Sequence, residues 1–246
     1  MSLPPTWRDL FIQHAETDGY RAALADANER IAGVEYPLSY LAYSGGLDSL
    51  CCLDLCANAG LEFIIGHYDF GRPNAKASNV FPQWIEDEVM ATARHYGRSP
   101  LIVTKRRNFV SESDAIRGRE GCVEFIDDGE FWILGAQRVA RELGCTCSIV
   151  GLRAQESIGR RKRTEAGGWV SSDMPEVWPV AQWSDMDRWA YVASKGLTYS
   201  RVYDEKAELT GSYMGLRMRS LFDDGRKSIT DSSGDGVLFW RDRPRG

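Results

Sequence analysis

The sequence predicts an α/β protein of three layers, with helices on both faces of a mostly parallel, twisted sheet and a small C-terminal extension. Three observations predict it. An apolar run at Pro37 to Tyr43, a helical stretch at Leu47 to Ala59 and a second apolar run at Leu61 to Tyr68 make a strand–helix–strand unit, which closes as parallel strands with a right-handed crossover. Glycines follow the predicted helices at Gly60, Gly97, Gly144 and Gly196, where helices commonly stop. The chain has 246 residues, 43% of them hydrophobic, enough for one large domain with an appendage on a scale of about 100 to 200 residues per domain.

The first long helix is expected from Thr6 to about Ala32, with Thr6 as N-cap, apolar positions including Leu10, Phe11, Tyr20 and Leu24, and a break near Gly19. It is expected to pack on a face or edge of the sheet and to carry no chemistry. After the strand–helix–strand unit, Phe81 to Tyr96 reads as a helix turning Trp84, Ile85, Val89 and Met90 inward, and Leu101 to Lys105 as a strand leading into Lys105-Arg106-Arg107. Ser111 to Asp128 is too mixed for regular structure and reads as a long loop near the site. Glu130 to Leu143 is a helix and Cys147 to Val150 a further strand. Trp178-Pro179-Val180 reads as strand or extended chain, and Trp183 to Lys195 as a helix capped by Ser184, with Asp185 and Asp187 in its first turn. Beyond Tyr203 the pattern loosens: Ser212 to Phe222 suits one more basic helix, Asp223 to Gly236 a loop and Val237 to Trp240 an edge strand. The late aromatic residues Trp169, Trp178, Trp183, Trp189, Tyr191, Tyr199 and Tyr203 read as core before they read as a base-stacking surface.

A net charge of −5 with 26% charged residues argues against a wholly basic nucleic-acid coat. Apolar runs are too short for a membrane span, and the N-terminus lacks the pattern of a secretory signal, so a cytoplasmic location is expected. The six cysteines, Cys51, Cys52, Cys56, Cys122, Cys145 and Cys147, have neither zinc-ribbon nor ferredoxin spacing. Buried thiols are the simpler reading, ahead of disulfides or a metal role.

Chemistry concentrates in Tyr43-Ser44-Gly45-Gly46-Leu47-Asp48-Ser49, where the first strand ends and a helix begins. Paired glycines let the backbone approach a ligand closely. Amides at a helix N-terminus bind anions, and the hydroxyls of Ser44 and Ser49 add donors suited to a pyrophosphate-sized group. Asp48 would repel phosphates unless a cation lay between them, which implies Mg²⁺. The lysine of a Gly-x-x-x-x-Gly-Lys-Ser/Thr loop is missing. Strand ends are where such sheets hold ligands, which brings in His67 and Asp69 after the second strand and Gly151-Leu152-Arg153-Ala154-Gln155-Glu156-Ser157-Ile158-Gly159-Arg160 after the later one. Arg153 and Arg160 could each fork onto a phosphate oxygen. Glu156 reads first as orienting an arginine and second as a base; His67 reads equally as a nucleotide contact or a structural residue. From Arg153 to Arg163 there are five basic residues and one acid, either a phosphate-binding patch or, over Arg161, Lys162 and Arg163, a solvated turn.

Ser-Gly-Gly-x-Asp-Ser after a strand resembles the PP-loop of the N-type ATP pyrophosphatases. With Asp69-Phe70-Gly71, the Gly-x-Arg-x-x-Glu-Ser-x-x-Arg stretch at Gly151 to Arg160, and Trp178-Pro179 followed by Trp183, Trp189, Tyr191, Gly196-Leu197 and Tyr203, the chain resembles the phosphoadenosine-phosphosulfate (PAPS) reductase family within that superfamily over about residues 40 to 205. The resemblance implies a Rossmann-like fold of the adenine nucleotide alpha hydrolase type, divided as an N-terminal helical segment (1–36), a PP-loop nucleotide-binding domain (37–205) and a C-terminal extension (206–246). It implies ATP and Mg²⁺ as cofactors. Tyr43, Ser44, Gly45, Gly46, Leu47, Asp48 and Ser49 would lie at the nucleotide, as would His67, Asp69, Gly151 and Arg153. Asp48, Arg153 and Arg160 would be the catalytic set, and Asp48 the magnesium ligand. Phe70 stands where many relatives have threonine.

The family's reductases carry a C-terminal Glu-Cys-Gly-x-x-x-Cys segment, whereas the last cysteine here is Cys147, so reduction of an activated sulfate is not expected. The expected activity is cleavage of ATP to AMP and pyrophosphate, adenylating an acceptor for nitrogen or sulfur transfer. The acceptor would be a small molecule or nucleic acid. The alternatives are a PAPS or APS reductase-type or sulfurtransferase activity and a module that only senses a nucleotide.

Overall fold

The computed structural model describes residues 3–69, 83–97, 101–106, 122–127, 140–165, 170–171 and 174–216. Within them the strands are β1 (Ser39–Ala42), β2 (Phe63–Asp69), β3 (Leu101–Arg106), β4 (Cys122–Asp127), β5 (Cys147–Val150), β6 (Val170–Ser171) and β7 (Met174–Val177). They form one sheet in the order β4-β3-β2-β1-β5-β7-β6, parallel except for the β6–β7 pair. Strand order runs outward from β1 to β4 on one side and from β5 on the other. The direction of winding therefore reverses between β1 and β5, and a crevice opens at their carboxyl ends.

Side chains alternate across the sheet. Leu41, Ile65 and Ile149 enter the larger core with α3 (Leu47–Asn58), while Tyr40 and Ile64 face a smaller cluster with Ala140, Cys145 and Met174. Both faces are thus covered, as a parallel sheet requires. The larger core also takes residues of α1 (Pro5–Ala15), α2 (Asp18–Ala32), α4 (Gln83–Tyr96), α6 (Asp185–Lys195) and α7 (Val202–Thr210); α5 (Ile158–Glu165) is the basic helix after β5.

The N-terminal pair docks on α6. Phe11 stacks on Trp189 at 5.5 Å between ring centroids, His14 Nε2 lies 2.7 Å from Asp187 Oδ1, and Trp183 Nε1 donates to the Ala23 carbonyl at 3.1 Å. Ser184 caps α6 through a reciprocal box with Asp187, and Gly196 ends it in the left-handed region.

Several expectations change. The cap of the first helix is not Thr6: Pro4 stands there, and Thr17 instead caps α2 by accepting from Tyr20 N at 3.2 Å, so the break precedes Gly19. Ser111 to Asp128 is not all loop, since β4 occupies its end; an outermost strand pairs on one side only, and Glu124 and Asp127 dilute its apolar signal. Trp178 to Ala181 is a turn, with the strand ending one residue earlier at Val177. The chain stays helical past Tyr203 through Thr210, and the expected Ser212 to Phe222 helix begins instead as bend and turn through Leu216, its remainder at 217–222 lying outside the described residues. The Glu130 to Leu143 helix shows only its end, at 140–142; its remainder, with Asp223 to Gly236 and Val237 to Trp240, lies outside the described residues. Among the described residues no helix is long and apolar enough to cross a membrane.

Candidate functional site

Backbone register builds the site. Ala42 is level with Val150 in the β1–β5 ladder and with Gly66 in the β1–β2 ladder, so the chain leaving β1 runs beside the chain leaving β5. Gly45 turns the corner at φ +82°, a conformation suited to glycine. Gly46 is the N-cap of α3, and the carboxylate of Asp48 lies in the first turn, where the helix dipole favours it. The corner is cross-tied. Ser44 Oγ and Ser49 Oγ are 3.2 Å apart, Ser44 Oγ accepts from Gly46 N at 3.3 Å, and Ser49 Oγ donates to the Gly46 carbonyl at 2.9 Å. Tyr203 Oη accepts from Leu47 N at 3.1 Å, using one of the amides a helix leaves without an internal acceptor.

Gly151 is pressed against this corner. A Cβ there would come within 2.7 Å of Asp48 C and Ser49 N, both backbone atoms. His67 is buried, and its Nδ1 sits 2.9 Å from the Tyr43 carbonyl; since a carbonyl only accepts, Nδ1 carries the proton and pins the last residue before the corner. The Tyr43 ring is part of the core. Asp69 closes β2 opposite Lys105, its side chain outside the described set.

Behind the corner sits a cluster of two acids and two arginines. Arg153 and Arg188 have side chains only 1% exposed, against 13% for Asp48 and 19% for Asp185. Asp48 Oδ1 is 2.8 Å from Arg153 Nε and 3.4 Å from Arg188 Nη1. Asp185 Oδ1 takes the Nη2 of both arginines at 2.9 Å, and its Oδ2 accepts from Gly215 N at 2.7 Å. Arg153 Nη1 donates to the Trp183 carbonyl at 3.3 Å and Arg188 Nη2 to the Leu216 carbonyl at 2.8 Å. The Gln155 amide oxygen, in the orientation that satisfies both neighbours, accepts from Asp185 N at 3.1 Å and from Arg153 Nη1. The Nε–H of each arginine makes no hydrogen bond, Arg153 Nε being close to Asp48 without being aligned to it. Charges cancel within the cluster, which is what permits guanidinium burial. Burial pushes the Asp185 carboxyl up, but Arg188, Arg153 and the Gly215 amide outweigh it and hold it below the usual range.

Ser44, Gly45, Gly46, Leu47, Asp48, Ser49, Gly151 and Arg153 thus converge at the reversal point. Arg160 is paired instead with Glu156, one turn away, so Glu156 does orient an arginine. Arg161 and Lys162 are exposed. A shallow depression of about 290 Å³ lies beside the Ala154–Glu156 turn, lined in part by Gln155, Arg161, Thr164 and Gln182, and is not the corner itself.

Arg188, Asp185 and the Tyr203 hydroxyl are partners that sequence reading missed. The signal for Arg188 was its spacing. Asp185, Arg188, Trp189 and Val192 fall on one helical stripe, so charged residues stood on a buried face. Cys51, Cys52, Cys56, Cys145 and Cys147 are buried free thiols. Burial pushes Cys145 and Cys147 up to about 11 and Cys56 to about 12, with neighbouring groups a smaller influence.

A family model described as the phosphoadenosine phosphosulfate reductase domain matches residues 39–218. Sulfate adenylyltransferase subunit 2 of Mycobacterium sp. (strain JLS) is 27% identical over 208 residues, covering 71% of this chain and 60% of the relative. Its counterpart in Mycobacterium sp. (strain KMS) is 26% identical over the same shares. The chain therefore spans about 60% of the length of these curated relatives. The solved U34-tRNA thiolase NcsA from Methanococcus maripaludis with its [4Fe-4S] cluster is similar over 74% of this chain and 66% of its own, at 12% identity and a TM-score of 0.44.

Proposed function

Since the chain belongs to the phosphoadenosine phosphosulfate reductase domain family, we propose that it binds ATP at Ser44 to Ser49 and transfers the adenylyl group to an acceptor oxygen, releasing pyrophosphate. The observation that carries this is the glycine corner at the sheet's reversal point, backed by a charge-neutral cluster that includes its own Asp48. The bond that breaks joins the α-phosphorus to the bridging oxygen of the β-phosphate; the bond that forms joins the α-phosphorus to the acceptor. Negative charge moves onto pyrophosphate as this happens. Corner amides would take up that charge, and the Ser44 and Ser49 hydroxyls would join them by turning out of their contacts with each other and with the Gly46 carbonyl.

Arg153 takes a different part from the one first expected. Its guanidinium is buried and committed to Asp48, Asp185 and the Trp183 carbonyl, so it acts through Asp48 instead of forking a phosphate oxygen. The same contacts bear on Mg²⁺. The ground for a metal was the repulsion between Asp48 and phosphate, and guanidinium charge already offsets it. Among the described residues no group of three or more His, Cys, Asp or Glu is placed to hold a metal ion. Asp48 would offer a magnesium ion carried by the nucleotide one carboxylate.

The name of the mycobacterial relatives denotes adenylyl transfer to sulfate, which favours a small oxyanion over nucleic acid as acceptor. A thiolate-based reductase or sulfurtransferase is disfavoured, among the described residues, by the burial of Cys51, Cys52, Cys56, Cys145 and Cys147, which pushes their thiols up. The test is pyrophosphate release from ATP with sulfate and other oxyanions, for the full chain and for Asp48→Asn. ATP binding without cleavage for any acceptor would leave only a nucleotide sensor. Affinity for RNA or DNA falling steeply with salt would move the acceptor to nucleic acid.

A further inference from the structure

We propose that Arg188 is a positioning residue for nucleotide binding: it holds the Asp48 carboxylate back from the corner, tying it to α6 and to the chain at Gly215 and Leu216. This rests on the assignment of the corner to ATP. Arg188 spans three acceptors with two nitrogens, reaching Asp48 Oδ1 at 3.4 Å, Asp185 Oδ1 at 2.9 Å and the Leu216 carbonyl at 2.8 Å. Asp185 in turn accepts from Gly215 N at 2.7 Å. Four separate parts of the chain, at 48, 153, 185–188 and 215–216, meet through these contacts.

Stability alone does not account for an arginine at this place. Well-packed apolar side chains in place of a whole buried ion cluster are often neutral or stabilising, so the four charges of Asp48, Asp185, Arg153 and Arg188 are more than the fold alone needs. The unbonded Nε–H of Arg188 is a further cost that packing would avoid. What an apolar residue could not do is restrain a carboxylate one turn from the place where phosphates would sit. A loosened Asp48 could swing toward the triphosphate and repel it. Lysine is no substitute, because a single ammonium on a flexible stem cannot span three fixed acceptors as a planar guanidinium does.

The test is ATP affinity by calorimetry, with thermal unfolding alongside, for the full chain and for Arg188→Lys, Arg188→Met and Arg188→Met combined with Asp48→Asn. Arg188→Lys should stay folded and bind ATP about 10-fold more weakly, the equivalent of one charge-assisted hydrogen bond. At an equal unfolding midpoint the double variant should bind ATP more tightly than Arg188→Met, because removing the charge on Asp48 removes the repulsion; a gain in affinity that only follows a recovered midpoint marks a structural arginine and overturns the proposal. A folded Arg188→Lys protein with affinity within about 2-fold of wild type overturns the proposal, and should Arg188→Met not fold, the lysine variant decides. Wild-type protein that binds ATP without cleaving it overturns adenylyl transfer and leaves this proposal standing on the binding series. Wild type that binds no ATP overturns both.

Discussion

Helix α3 carries two carboxylates turned inward, Asp48 half-buried and Asp54 buried, and their surroundings are opposites. Asp48, in the first turn, is met by two guanidinium groups and sits at the glycine corner. Asp54, six residues on, is met by neutral donors: the Tyr191 hydroxyl at 2.8 Å, the Asn58 amide at 2.9 Å and the Tyr96 hydroxyl at 3.0 Å. Burial, and then Asp54 itself, push both phenols upward, so they remain protonated donors. The Asp54 cluster joins α3 to α4 and α6 and ends there, a cross-link within the core. Asp48 joins the same helix to a segment beyond β5 and to Gly215 and Leu216 through intermediaries that are themselves charged. Burial of an acid is therefore no guide to function; the charge of its partners and what lies on its open side are.

The strongest way to break this contrast is to remove each acid in turn. Asp48→Ala should cost about 3–5 kcal/mol of stability, since Arg153 and Arg188 would be left buried without their full countercharge, and, by freeing the corner donors from the cluster that positions them, lower pyrophosphate release by about 100-fold or more. Steady-state kinetics with urea unfolding checks both. Asp54→Ala should cost about 2–4 kcal/mol through its stranded donors, yet leave turnover per folded molecule within about 2-fold. An Asp54 variant that folds but is inactive would erase the distinction.

Acid sharpens it further. The Asp185 carboxyl is held below its ordinary 3.8, so its contribution to stability is complete above that value and is lost as pH falls through the lowered folded-state value. Urea titrations between pH 6 and pH 3 should show wild type losing stability at the acid end and Asp185→Asn, already weaker, losing less. The smallest effect is expected at a fourth acid, Asp187. His14→Ala removes the contact with Asp187 while the Ser184 box stays, and should cost about 1 kcal/mol with no change in turnover, read from the unfolding midpoint.

Much of this was legible in the sequence because it is local. The corner, the strand–helix–strand unit, the Ser184 cap and the Gly196 stop each depend on a few adjacent residues. What escaped depends on distant partners. Arg188 and Asp185 look like surface charges until Asp48 and Arg153 arrive from segments more than thirty residues away. Val202–Thr210 hid its helix because Asp204, Glu205 and Glu208 surround the buried stripe of Val202, Tyr203, Lys206 and Ala207, which itself includes a charged residue. Arg153 was rightly placed at a strand end, but its being buried there could not be read from neighbours alone.

The contact between Gly151 and the backbone of Asp48 and Ser49 limits how this protein could be re-engineered. Two turns separated by about a hundred positions share one van der Waals surface, with no side chain between them to absorb a change. Grafting a different corner onto β1 would require reshaping the exit of β5 to match, and even a methyl group at 151 would push the corner off its seat. New specificity is more readily introduced at the exposed side chains of α5, which lean on neither turn.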